Sequence, residues 1–147
     1  MKADLWFPTI IWQGSLKQVN NYELAEYVSK MQNDSPGRKI SNYGGWQSDA
    51  QDLLSQKPVG VEVLLQGIHT SINQCTKMAG LPTLQISDFW WNVNPKGSYN
   101  HPHNHRDSLL SGVYYIDATP EQGRIQFYRD DDAEYFLPRL PKYTQIT

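Results

Sequence analysis

The sequence predicts an α+β domain with helices packed on one side of a sheet or barrel. In its first half, apolar side chains recur at helical spacing in two segments. From residue 84 onward, short aromatic and β-branched segments alternate with turn sequences. A length of 147 residues and a hydrophobic content of 39% suffice for a buried core. We therefore expect a single domain spanning residues 1–147.

The first two elements are a strand and a helix. Residues 5–12 (LWFPTIIW) are rich in aromatic and β-branched residues and predict a strand, and Pro8 favours the edge of a sheet. Asn20 is predicted to cap the helix, and residues 34–37 (DSPG) to end it. The apolar stripe of this helix consists of Leu24, Tyr27, Val28 and Met31.

Residues 41–48 (SNYGGWQS) have no regular period. The paired glycines suit unusual backbone dihedrals, and Trp46 is suited to anchor the segment by packing. From the sequence we favour a surface turn with one aromatic anchor.

A longer helix is predicted to begin at Pro58 and to stop at Gly80 and Pro82. Gly67 is a weak point inside it, and His69 is expected at its surface or boundary, without a function. The spacing of three and four residues is kept by Val61, Leu64, Leu65, Ile68, Ile72, Cys75 and Met78.

The second half predicts strands joined by short turns. The predicted strands cover residues 84–86, 89–93, 109–116 and 124–128, the third of them (LLSGVYYI) buried and the last half-buried. Turn sequences lie at residues 94–97 and 119–123. Residues 130–147 are polar and punctuated by prolines, and we assign no element to them.

Composition excludes several classes of function. The net charge is −2 and the basic residues are scattered, so we expect no nucleic-acid partner. Neither a signal peptide nor a bilayer-length apolar run is present, so we expect no membrane partner. A single cysteine, Cys75, cannot form an intramolecular disulfide and favours a reducing environment. We therefore expect a cytoplasmic protein.

The strongest chemical signal is the stretch 99–107 (YNHPHNHRD). In an extended strand, side chains two residues apart project to the same face, so His103, His105 and Asp107 would project together. Imidazole and carboxylate are ligands shared by zinc, iron, nickel and manganese. A polar surface strand explains the same spacing without a metal. Candidates for hydrogen bonds that orient the imidazoles are Asn92, Asn94, Asn100 and Asn104.

One ordered series of segments stands out: 91–94 (WNVN), 97–105 (GSYNHPHNH), 108–115 (SLLSGVYY) and 123–127 (GRIQF), together with the early segments 7–9 (FPT) and 41–48. This series resembles a group of 2-oxoglutarate/Fe(II)-dependent oxygenases found in marine bacteria and their phages. The resemblance thus spans nearly the whole chain. It implies a double-stranded β-helix, the jelly-roll barrel shared with cupins, preceded by helices.

The resemblance also implies cofactors, Fe(II) and 2-oxoglutarate, and residue roles. His103 and His105 match the family's H-x-H pair and become the expected metal ligands, whereas His101 falls at a variable position. His105 and Asp107 match the H-x-D pattern of the wider superfamily, so Asp107 is the rival to His103.

Two further residues are expected to orient the 2-oxoglutarate co-substrate. They are Asn100 and Tyr114. An equally good reading is that Tyr114 packs in the core while Tyr115 faces solvent, or the reverse.

The chain departs from the family's pattern toward its C-terminal end. Family members continue with a Gly-x-Leu-x-x-Phe-Pro segment, a histidine that completes the iron site and an arginine that pairs with 2-oxoglutarate. Here no histidine follows His105, and Arg129 and Arg139 stand in a different context. We expect a fragment, or a barrel that lacks its C-terminal strands and has reduced or absent catalysis. Its open sheet edges would pair between subunits as a homo-oligomer.

Two alternatives remain open at the level of the sequence. One is a non-enzymatic jelly-roll module that binds a ligand or partner through the same face. The other is a cupin-like metalloprotein that does not use 2-oxoglutarate. The substrate, a small molecule or a protein, is not indicated by the sequence, and a phage-encoded protein would act in the host cytoplasm.

Overall fold

The computed structural model describes residues 9–105 and 107–128, which contain a mixture of helices and short strands. In chain order the elements are α1 (Asn21–Asp34), β1 (Asn42–Tyr43), β2 (Trp46–Gln47), α2 (Val59–Ala79), β3 (Asn92–Val93), β4 (Tyr99–Asn100) and a 3₁₀ turn (Pro120–Gln122). The chain divides into two compact units, one in residues 9–30 and 50–90 with α2 and most of α1, and one in 31–49 and 91–128 with the last residues of α1 and the four strands.

Helix α1 begins where its cap predicts. The Asn20 side-chain oxygen accepts hydrogen bonds from the main-chain N–H groups of Tyr22 (3.2 Å) and Glu23 (3.4 Å), which have no partner within the helix. Its buried face holds Leu24 and Val28, two members of the predicted stripe. Both bounds of the helix agree with the sequence prediction.

Helix α2 follows Pro58 and ends at a left-handed glycine. Gly80 has a φ of 66°, and its N–H donates to the Lys77 oxygen at 3.4 Å. The Leu81 N–H donates to the Thr76 oxygen at 2.9 Å. This pair of bonds is the Schellman arrangement, which satisfies carbonyl groups that the last turn leaves open. The predicted stop is confirmed.

The first unit is built where α1 and α2 meet. Leu24 and Val28 are buried in α1, and Val61 and Leu64 in α2. A Cβ atom added at Gly60 would lie 3.8 Å from a methyl group of Leu24, so the helices approach closely there. This core accounts for the apolar faces that the spacing predicts.

Gly67, expected to be a weak point in α2, is buried by a close neighbour. A Cβ atom at this position would lie 2.7 Å from the Gln18 amide nitrogen and 3.0 Å from a Leu16 methyl group. The side chains of Leu16 and Gln18, before α1, therefore pack directly on the backbone of α2 at this glycine, and a larger residue would displace them.

The second unit is built on two antiparallel ladders that join the same two segments. Strand β1 pairs with β4, with Asn42 opposite Asn100. Strand β2 pairs with β3, with Trp46 opposite Val93. Between the ladders, the two residues 44–45 lie opposite the five residues 94–98. One continuous segment, 41–48, therefore runs antiparallel to 91–101 around a bulged loop.

The core of this unit lies at the β2–β3 end. Trp46 is 8% exposed and Trp91 is 6% exposed. The indole N–H of Trp46 donates to the Ser35 main-chain oxygen at 3.0 Å. Gly37 packs against the same ring with a φ of 67°. The predicted aromatic anchor is therefore present. In place of the predicted surface turn, residues 41–48 contain strands β1 and β2, each paired with a distant strand.

Several predicted strands are not among the ladders of the described residues. These ladders do not include residues 109–116 and 124–128, and many of the large apolar side chains in the two ranges are exposed. Residues 9–12 and 84–86 are likewise outside the described ladders, and 5–8 lie outside the described residues. A strand is stabilised by bonds to a neighbour, and apolar composition alone supplies none.

The described residues form two two-stranded sheets and no closed barrel. The α+β class is thus confirmed, while the jelly-roll barrel is not shown. Neither helix in this part of the chain combines the length and apolar character needed to cross a membrane.

Candidate metal centre

The histidine stretch leaves the end of strand β4 and is fixed at its first residue. The His101 N–H donates to the Ser41 main-chain oxygen at 2.7 Å, which continues the β1–β4 ladder by one bond. Pro102 follows, and a residue before proline is restricted to extended conformations. The direction in which the chain enters residues 103–105 is therefore set by segment 41–48.

The His103 ring is oriented by a main-chain oxygen. Its Nδ1 atom lies 2.6 Å from the oxygen of His101. A carbonyl oxygen can only accept, so Nδ1 carries the proton in this bond. In the neutral ring the lone pair is then on Nε2, and a metal-binding histidine is typically held in this way by its other nitrogen.

The second predicted ligand lies beside the first. The ring centres of His103 and His105 are 5.0 Å apart, and the rings are inclined by 76°. Two imidazoles bound to one metal ion at about 2.1 Å have ring centres roughly 4.5–5.2 Å apart. The pair is therefore spaced as two ligands of one ion would be.

Asp107, the rival ligand, is not in the extended conformation expected for it from the sequence. It lies in a turn, and the Ser108 N–H donates to the His105 oxygen at 3.1 Å. The extended conformation assumed for residues 103–107 therefore does not reach Asp107. In the described part of the chain, no group of three His, Cys, Asp or Glu side chains is placed to hold a metal ion. In this part of the chain, the spacing of the two imidazole rings accords with two ligand positions, and the structure assigns no further ligand.

The two predicted co-substrate residues lie apart in the chain and in different surroundings. Asn100 is exposed in β4, opposite Asn42, and strand alternation turns it away from the face of Tyr99. Tyr114 is half-buried within 109–116, whereas Tyr115 is exposed. The two neighbouring tyrosines thus differ in exposure.

Arg38 occupies the other end of the ladder. Its Nε–H donates to the Ser48 oxygen at 3.3 Å and lies 3.4 Å from an Asp49 carboxylate oxygen. The side chain is thus engaged in holding segment 41–48, and we assign it no role toward 2-oxoglutarate.

Sequence reasoning missed the part that segment 41–48 plays in the site. Asn42 donates through its amide to the oxygens of Arg38 (3.1 Å) and Gly45 (2.9 Å) and accepts from the Ile40 N–H (2.9 Å). These bonds shape the segment that pairs with β4. The partner lies more than fifty residues away in sequence, so no local pattern identifies it. The one signal was the likeness of this segment to the family motif.

Comparison with known proteins finds similarity in the C-terminal part of the chain. No curated protein and no solved structure matches the chain. The early segments 7–9 and 41–48 lie outside the matching region, so the likeness is confirmed over a shorter range than expected. Residues 88–146, which include both His103 and His105, match the family described as "Putative 2OG-Fe(II) oxygenase".

Proposed function

We propose that this chain is a 2-oxoglutarate/Fe(II)-dependent oxygenase of the H-x-H type that hydroxylates a small molecule or protein. The observation that carries the proposal is the adjacency of His103 and His105, 5.0 Å between ring centres, inside the region similar to the oxygenase family. His103 and His105 are the proposed iron ligands. When bound, iron(II) would activate dioxygen as the oxidant for C–H hydroxylation, with 2-oxoglutarate as the co-substrate that is oxidised to succinate and carbon dioxide.

The residues of the chain have distinct parts in this proposal. The His101 oxygen keeps the proton on Nδ1 of His103 and so leaves Nε2 for the metal. Asn100 and Tyr114 are proposed to orient 2-oxoglutarate. Asp107 stays the rival ligand, since its carboxylate follows His105 by two residues. The proposed architecture is the double-stranded β-helix, for which the family likeness is the support.

We also propose a cellular location for the protein and a mode of self-association. The protein is proposed to act in the cytoplasm, consistent with its single cysteine, and in a host cytoplasm if a phage encodes it. Self-association through sheet edges is proposed because residues 109–116 combine exposed apolar side chains with strand-forming composition.

The proposal is tested by turnover of 2-oxoglutarate to succinate. The full chain is loaded with Fe(II) under anaerobic conditions and then exposed to oxygenated buffer with 2-oxoglutarate. We expect succinate that depends on Fe(II) and is lost in His103→Ala and His105→Ala. The matched control is His69→Ala, since His69 is an exposed histidine of α2.

Two results would contradict the proposal in different ways. Succinate formation unchanged in both histidine variants would remove the assigned ligands. Metal binding without any succinate would favour the non-enzymatic module or the cupin-like metalloprotein. Both alternatives draw support from the same observation: the described residues offer no third ligand beside His103 and His105.

A further inference from the structure

Strands β1 and β4 bring together three rings directly before His103. Tyr43 and Tyr99 lie opposite each other in the ladder, and their rings stack with centres 5.0 Å apart at 30°. His101 stands edge-on to both, with ring centres 5.0 Å from Tyr99 and 6.5 Å from Tyr43. We refer to Tyr43, Tyr99 and His101 as the ring cluster.

The ring cluster is exposed, in contrast to the tryptophans of the same unit. Tyr43 is 59% exposed and Tyr99 is 48% exposed, whereas Trp46 and Trp91 are buried. The tryptophans thus supply the packing of this unit. Contiguous exposed apolar surface is typical of sites that bind a ligand or partner. Tyrosine suits such a site because its ring is apolar and its hydroxyl stays in water.

The arrangement of the rings indicates the chemical class of the ligand. A site for an organic cation surrounds it with ring faces that point to a common centre. Tyr43 and Tyr99 instead stack face to face, with His101 at their edge, so another planar ring would extend the stack. Stacking of planar rings on exposed aromatic side chains is a common mode of binding.

We propose that the ring cluster binds a planar aromatic group of the substrate and holds it beside the metal ion. The placement of the ring cluster beside a metal ion rests on the proposed function. His101, a member of the cluster, also orients His103 through its main-chain oxygen. A chain of contacts therefore links the ring cluster to the proposed iron ligand. The planar group could come from an aromatic amino acid or from a nucleobase, and the two sources are separated by the experiment.

The experiment uses ligand-observed NMR with the full chain. The probes are N-acetyltryptophanamide, adenosine and tetramethylammonium, each titrated without metal. We expect saturable binding of at least one planar probe, and the tighter of the two identifies the source. Tyr43→Leu and Tyr99→Leu should each weaken it at least about fivefold. Tyr43→Phe and Tyr99→Phe, which keep the rings, should bind as the unaltered chain does.

The matched control is Tyr22→Leu, since Tyr22 is an exposed tyrosine of α1. It should leave binding unchanged. Equal weakening in this control, or tighter binding of tetramethylammonium than of both planar probes, would overturn the inference. So would absence of saturable binding by both planar probes.

Proximity to the metal is tested by adding Mn(II). Broadening of the resonances of the bound probe, abolished by His103→Ala, is the expected result. A probe that binds without broadening, although Mn(II) is bound, would overturn the assignment to the substrate. If Mn(II) fails to bind at all, the proposed function fails while ring binding is still measured without metal.

Discussion

The Nδ1 atom of His103 lies 2.6 Å from the main-chain oxygen of His101. One residue thus connects three features of the site. The N–H of His101 is bound to Ser41, its ring stands against Tyr99, and its oxygen orients the next histidine. The orientation of a proposed metal ligand is therefore set by pairing with segment 41–48.

Removal of either proposed ligand should abolish tight metal binding. Loss of a group that only orients a ligand typically weakens metal affinity about 10- to 100-fold. Loss of the ligand itself should weaken the affinity more than that. We expect His103→Ala and His105→Ala to reduce Mn(II) affinity by more than about 100-fold. Isothermal titration calorimetry with the full chain measures it.

The same titration decides between His103 and Asp107. His69→Ala is the control and should bind Mn(II) as the unaltered chain does. A loss in Asp107→Ala and His105→Ala, with His103→Ala unaffected, would shift the ligand pair by two residues. Unaltered binding in all three variants would exclude the stretch as the metal site.

Ser48 should be important for stability. It is 2% exposed, and its hydroxyl accepts from the Trp91 N–H at 3.0 Å while donating to the Asp49 oxygen at 2.7 Å. Ser48→Ala removes both bonds at a buried position. We expect the free energy of unfolding to fall by about 1–3 kcal/mol in urea denaturation.

Ser55 provides the matched control for this prediction. Its hydroxyl also donates to a main-chain oxygen, that of Asp52, at 2.9 Å, but the contact is exposed. Ser55→Ala should change the free energy of unfolding by no more than about 0.5 kcal/mol. Equal effects of the two substitutions would show that burial at the Ser48 end of the ladder is unimportant.

Gly37 and Gly80 allow backbone strain to be separated from a steric clash. Their φ angles are 67° and 66°. A Cβ atom at Gly80 meets nothing within 4 Å, whereas one at Gly37 would lie 2.5 Å from both the Gln47 oxygen and the Trp46 indole nitrogen. Gly80→Ala should cost about 1–2 kcal/mol of unfolding free energy, from conformation alone.

Gly37→Ala should cost about 1–3 kcal/mol more than Gly80→Ala, because the methyl group also displaces packed atoms. Thermal and urea unfolding of the two variants measure the difference. A cost at Gly37 no greater than at Gly80 would mean that Trp46 and the 35–37 turn separate easily.

Glu121 offers a prediction on pH. A hydrogen bond from the Thr119 side chain, with a smaller main-chain contribution, lowers the pKa of this carboxyl below its usual value. Since the folded pKa is the lower one, the stabilisation is present above the unfolded pKa and is lost as pH falls through the folded value. NMR titration should show a higher Glu121 pKa in Thr119→Val, while Thr119→Ser should retain the low value.

The helices were predictable because their signals are local. Asn20, Pro58 and Gly80 act on neighbours within a few residues, and the apolar spacing needs no knowledge of the partner. The bounds of α1 and α2 therefore follow from the sequence. The adjacency of His103 and His105 follows in the same way, since they are only two residues apart.

The pairing of strands was not predictable because it depends on distant residues. Segment 41–48 has the composition of a turn, yet Asn42 and Trp46 pair with residues near 100 and 93. Residues 109–116 have the composition of a strand, yet neither ladder of the described residues includes them. The composition of a segment gives its preference for the strand conformation, but it does not identify the distant segment with which that strand would pair.

The loop 94–98 separates the β2–β3 ladder from the β1–β4 ladder, and the register of each ladder is fixed by its own hydrogen bonds. Its own geometry is local, with the Ser98 N–H donating to the Pro95 oxygen at 3.0 Å and Gly97 at a φ of 85°. Bonds beyond each end, Ser48 to Trp91 and His101 to Ser41, hold the flanking residues. Extra residues inserted here would enlarge the loop without sliding one segment along the other. Chain length can therefore vary beside the histidines while their spacing and alignment stay constant.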